Sequence, residues 1–187
     1  MSTRTPRIPP LAPEDFTAEQ AELVGDWTHL IFSRVIVRHP ELYRIFVPYI
    51  EQLIAGSSLP PRDREVLLLR ALGMSGTETY ETHHHVMIAR NAGMDEADIQ
   101  AAIRGGAQPS EWDETLVRAT EELVHNQRIG DETWAALAER YSERQLMEVV
   151  FLVGCYNTMA MLTQSFGMEL EGAPEDFERI EKLRTYT

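Results

Sequence analysis

Apolar residues recur along this chain at the spacing of helix faces, and no stretch reads as a strand, so an all-α protein is expected. Residues 1–16 are the exception. Prolines at positions 6, 9, 10 and 13 forbid regular structure there and predict an extended arm, lying on the protein or a neighbouring subunit, or a partly ordered tail. Thr17 followed by Gln20 reads as a capping pair opening a helix that runs past Trp27 to Phe32. Pro40 opens a second helix with the stripe Leu42, Ile45, Phe46 and Tyr49, which Pro48 is expected to kink. Gly56, the following serines, Pro60 and Pro61 mark a stop and restart. Helices are then predicted over 62–74 and 78–91, joined across Ser75 and Gly76 as an antiparallel hairpin. Shorter ones follow: one closed by Gly105 and Gly106, one with Leu116, Ala119, Thr120 and Leu123 on one face, and one beginning after an Asp cap at 131. The Ser142-x-x-Gln145 box begins the longest apolar run, Leu146 to Phe166, and the interruptions at Glu148, Asn157 and Gln164 favour a central core helix or an oligomer interface over a membrane span. Gly154 would allow a close helix crossing. Residues 17–187 are read as a single domain whose charged tail ends in a marginal helix.

Within this pattern the stretch 61–93 carries ionisable groups on faces that should be buried. Glu65 falls in line with Leu68, Leu69 and Leu72, and Glu81 in line with His84, His85 and Ile88. A histidine beside a buried glutamate is what proton transfer needs. The same residue types suit a metal, since Glu65 followed by Glu81-x-x-His84 resembles half of the carboxylate–histidine set of di-iron helical bundles, and Glu122-x-x-His125 supplies a second Glu-x-x-His. Short, Gly- and Pro-broken helices weaken that alternative, and His125 reads as a surface residue. The plainest alternative is that these contacts only satisfy buried polar groups.

Composition narrows the choice. A formal net charge of −13 across 187 residues would repel phosphate backbones and anionic lipid, leaving small molecules and protein partners. Cys155 is the sole cysteine, so an internal disulfide, a Cys-x-x-Cys redox pair and a cysteine-based zinc site are excluded. A cytoplasmic location is expected, because no apolar core follows the weakly basic amino terminus. No phosphate loop, nucleophile elbow or dinucleotide fingerprint is present.

The run LPPRDREVLLLRALGMSGTETYETHHHVMIARNAGM resembles the core of the carboxymuconolactone decarboxylase family, also called alkylhydroperoxidase-D-like proteins. Matching positions are Arg64-Glu65, Tyr80-Glu81, His84-His85-Val86, Ala89-Arg90 and Ala92-Gly93-Met94, and the family core extends over 60–166. The resemblance implies an all-helical alkylhydroperoxidase-D-like domain that is an obligate homo-oligomer, trimer or hexamer, with a site between the helix pair. In the family's peroxidase branch a Cys-x-x-Cys-x-x-x-His motif follows a glutamate on the preceding helix. The histidine corresponds to His85, the glutamate to Glu65 and the second cysteine to Glu81, while the first falls at Thr77 or Glu78; both thiols are missing. The decarboxylase branch uses histidine and glutamate without a cofactor. What the resemblance implies is therefore cofactor-free, metal-free proton-transfer chemistry of decarboxylase or lyase type on a small carboxylated or lactone substrate. Glu65, Glu81, His84 and His85 are the candidate catalytic residues, with His84 and His85 interchangeable, and Leu69, Tyr80 and Tyr156 the candidate pocket wall. The alternatives are an alkylhydroperoxidase-D-like antioxidant protein lacking the cysteine pair, a metal-binding helical protein, and a non-catalytic small-molecule binder.

Overall fold

The computed structural model describes residues 5–76 and 80–171. Thr77, Glu78 and the expected tail helix beyond residue 171 lie outside these residues. Helices α1 (Ala18–Val24), α2 (Ile31–Ile36), α3 (Pro40–Ile54), α4 (Pro61–Ser75), α5 (Tyr80–Asn91), α6 (Glu96–Arg104), α7 (Glu111–Asn126), α8 (Asp131–Ala138) and α9 (Glu143–Phe166) follow one another, with no strand among the described residues. The chain divides into two compact units, one formed by the residues up to Ala55 and from Leu162 onward, the other by Gly56–Met161.

In the first unit the arm lies along the protein's own chain. Arg7 N–H donates to the Phe166 carbonyl at 2.8 Å, and Arg34 Nε donates to the Leu11 carbonyl at 2.7 Å. Thr17 and Gln20 form a full capping box. The helix they open is shorter than its apolar pattern suggests. Gly25 at φ 49° ends it, and a 3-10 turn over Gly25–His29 leads into α2. Left-handed backbone costs glycine little, so the break falls there rather than after Phe32. Helix α3 continues through Pro48, with His39 capping its start. Val24, Val37 and Tyr43 form the centre of this unit, packed by Leu11, Phe16, Trp27 and Val47.

In the second unit the helix that the others pack around is α4 rather than α9. Residues 64–69, Ala71 and Leu72 of α4 are all buried, and α5, α6 and α7 pack around it. Gly73 permits a close approach of α6: a Cβ there would lie 2.0 Å from the Ile103 carbonyl oxygen. Arg70 donates to that same carbonyl at 2.9 Å and pairs with Glu121 of α7 at 2.8 Å. Arg62 bridges Asp98 and Asp113 in the same way between α6 and α7. Helix α8 starts at Asp131, but its cap is Gly130, whose N–H donates at 2.8 Å to Glu122 of α7, so the expected Asp cap is replaced by a carboxylate from another helix.

By length and composition α9 could cross a membrane, and half of its most apolar window is buried inside the protein. Ser142 and Gln145 cap it as anticipated. Its Glu148 accepts from Ser57 Oγ at 3.0 Å and Ser58 N–H at 2.7 Å, which ties the turn before α4 to α9.

Candidate functional site

Glu65 has no solvent exposure because α4 is covered on every side, so its carboxylate must find partners within the protein. It finds two. His85 Nδ1 lies 2.8 Å from Glu65 Oε2, and Arg64 Nε donates to Oε1 at 3.2 Å. His85, at 1% exposed, stands on α5, which packs along α4, and its ring meets Tyr156 of α9 edge to face at 4.9 Å. Burial opposes the charge on Glu65. The pull of His85 and of the Arg64 guanidinium outweighs it and holds the carboxyl below its ordinary range.

The remaining candidates lie on the same elements with different neighbours. His84 is fully buried with its ring 4.5 Å from that of Tyr80. Glu81 is 2% exposed and acts on Cys155 of α9: burial first, and then the Glu81 charge, push that thiol up to about 12. Leu69 is fully enclosed on α4. Arg64 is the member that spacing did not single out, although it stands in the Arg64-Glu65 pair that carries the resemblance. Glu122 is occupied as the α8 cap, accepting from Thr133 Oγ1 at 2.9 Å as well as from Gly130, and His125 is exposed, hydrogen-bonded to the Glu121 carbonyl. Among the described residues no three His, Cys, Asp or Glu side chains are grouped to hold a metal ion. A groove of about 410 Å³ lies elsewhere in the unit, lined by Leu123, Gln127, Ile129, Trp134 and Val150 among others.

Residues 40–123 match the model of the carboxymuconolactone decarboxylase family. That segment, a little under half of the chain, is similar to the family. The match runs from α3 into α7 and includes both members of the Glu65–His85 pair. Among solved structures, the chain is similar to the alkylhydroperoxidase AhpD core of an uncharacterized peroxidase-related protein from Ralstonia eutropha JMP134, with a TM-score of 0.75 and 13% identity over 94% of this chain and 96% of that one. It is also similar to the debrominase Bmp8, with a TM-score of 0.66 and 17% identity over 92% of this chain and 97% of that one. A cysteine variant of that debrominase, bound to 2,3,4-tribromopyrrole, matches with a TM-score of 0.64 and 16% identity, covering 96% of this chain and all of that one. A search of the curated proteins finds no match. These likenesses establish an alkylhydroperoxidase-D-like helical fold that reaches past the family segment into α9. On that fold, α5, which lies within the matched segment, presents Glu81 and His85 and no cysteine.

Proposed function

We propose that the protein is a cofactor-free acid–base catalyst of decarboxylase or lyase type, acting on a small carboxylated or lactone substrate. The observation that supports this is the buried 2.8 Å contact between Glu65 and His85. A carboxylate on Nδ1 orients the imidazole and stabilises the positive charge it gains, which leaves Nε2 as the nitrogen that exchanges a proton with substrate. In a decarboxylation the bond to the departing CO₂ breaks and its electron pair stays on the substrate as an enolate. A proton taken up from solvent at Nε2 makes the imidazolium, which delivers it to that carbon, so each turnover consumes one proton and releases one CO₂. Glu81, His84, Leu69, Tyr80 and Tyr156 would shape the rest of the site, and the working form would be a cytoplasmic homo-oligomer, trimer or hexamer, without nucleic-acid or membrane partners. The antioxidant alternative loses support from Cys155, whose thiol is buried and held protonated.

The depth of the pair favours one second reading, in which Glu65 and His85 only satisfy each other inside a core that binds ligands without transforming them. A carboxylated muconolactone offered to the wild type and to His85→Ala, with melting temperature measured alongside CO₂ release, separates the two. Catalysis by the pair predicts a loss of about 10²–10⁴ in rate. Turnover that survives in a less stable His85→Ala protein would establish the structural reading.

A further inference from the structure

Arg64 is 4% exposed, and its charge stands beside a carboxylate with no exposure at all. Consecutive side chains on a helix do not normally face one another, so the 3.2 Å contact from Arg64 Nε to Glu65 is one that helical spacing does not supply. The two oxygens of Glu65 are divided between their partners, Oε1 to Arg64 and Oε2 to His85. On the helices packed against it, Asp98 of α6 and Asp113 of α7 bind Arg62 and Glu121 of α7 binds Arg70, while Glu81 of α5 is buried and its charge raises the Cys155 thiol of α9. Among the described residues Arg64 is thus the permanent cation acting on the carboxylate.

We propose that Arg64 is a positioning residue that fixes the polarity of the Glu65–His85 hydrogen bond. A carboxylate held as an anion can only accept, so Nδ1 of the neutral imidazole carries the hydrogen and Nε2 is left as the basic nitrogen. Without the cation, burial favours an added proton on the pair, shared between carboxyl and imidazole. Nε2 then carries hydrogen at neutral pH and cannot act as a base. Arg64 decides which of these two forms His85 takes. The catalytic meaning of this assignment rests on the acid–base function proposed above, whereas the tautomer is a property of the resting protein.

Imidazole ¹⁵N NMR of the full chain, with His85 assigned by comparison with His85→Gln, reads the tautomer without any substrate. The expected result is a neutral wild-type ring with hydrogen on Nδ1 and none on Nε2. In Arg64→Gln the pair should keep its extra proton to a pH about one unit or more higher, and Arg64→Lys, which restores the cation, should return the midpoint towards wild type. A wild-type ring carrying hydrogen on Nε2 in its neutral form overturns the proposal, even if Arg64→Gln fails to fold. So does a folded Arg64→Gln that titrates like the wild type. Failure of the acid–base function would appear differently, as a correct tautomer in a protein whose turnover is indifferent to His85.

Discussion

A carboxylate without solvent keeps its charge only when donors or cations are close, and Glu65 has the Arg64 guanidinium at 3.2 Å and the His85 imidazole, cationic only when protonated, at 2.8 Å. Because its folded-state proton affinity lies below the ordinary value of 4.5, the unfolded chain binds more protons as acid is added. Stability from this group is present above that ordinary value and is lost as pH falls through the depressed one. Glu65→Gln should therefore be less stable than the wild type near neutrality, by about 3–5 kcal/mol for breaking a buried pair. The gap should narrow below pH 4.5, where urea unfolding curves at several pH values will show it; a gap independent of pH would contradict the assignment. Cys155 gives the opposite case. Burial and the Glu81 charge hold its thiol protonated at about 12, so folded protein should react with a thiol reagent only at the rate of unfolding, and Cys155→Ser should leave peroxide handling unchanged. Peroxide turnover that disappears in that variant would overturn this expectation.

At the scale of elements, periodicity was enough to find most helices and their caps, because capping boxes at Thr17 and Ser142 and the proline starts of α3 and α4 are local chemistry. It could not find features set by packing. The stop at Gly25, the Gly130 cap supplied from Glu122, and the central place of α4 all depend on what a distant segment brings. The site divides along the same line. Glu65 facing α5 was legible from its leucine neighbours, but His84 and His85 sit too close together on the helix for spacing to separate them, and only the packing of α5 on α4 gives His85 to the glutamate. Arg64 escaped because adjacent helical residues do not normally meet. Gly73 shows how packing overrules propensity. Alanine there gains about 0.5–1 kcal/mol in the helix, yet its methyl would overlap the backbone of Ile103, and overpacking costs about 1–3 kcal/mol; the nearest atom, at 2.0 Å, is a carbonyl oxygen that cannot rotate aside. Gly73→Ala should lower the melting temperature by several degrees, and a neutral or higher value would mean that α4 and α6 are not in this contact.

For the whole molecule the open question is what meets the outer side of α9, where Met147 is 60% exposed, Val150 41%, Phe151 51% and Met161 59% along one helical stripe. A stripe of this kind on a protein of net charge −13 is expected to be covered by another copy of the chain, which predicts a light-scattering mass that is a multiple of 21.3 kDa. Gly154 lies on the same stripe and supplies a test that depends on sign rather than size. Within one chain a Cβ added at Gly154 meets nothing within 4 Å, so for an isolated protomer Gly154→Ala should only gain the helical preference of alanine, about 0.8–1 kcal/mol. If a second α9 crosses there, the same methyl enters the contact and should push the two helices apart, lowering both the mass and the melting temperature. We expect the second result, with Phe151→Glu giving a stronger version of it by burying a charge. A monomeric wild type at micromolar concentration, or a Gly154→Ala protein that is more stable with its mass unchanged, would show that this face meets water and that the Glu65–His85 site is complete within one chain.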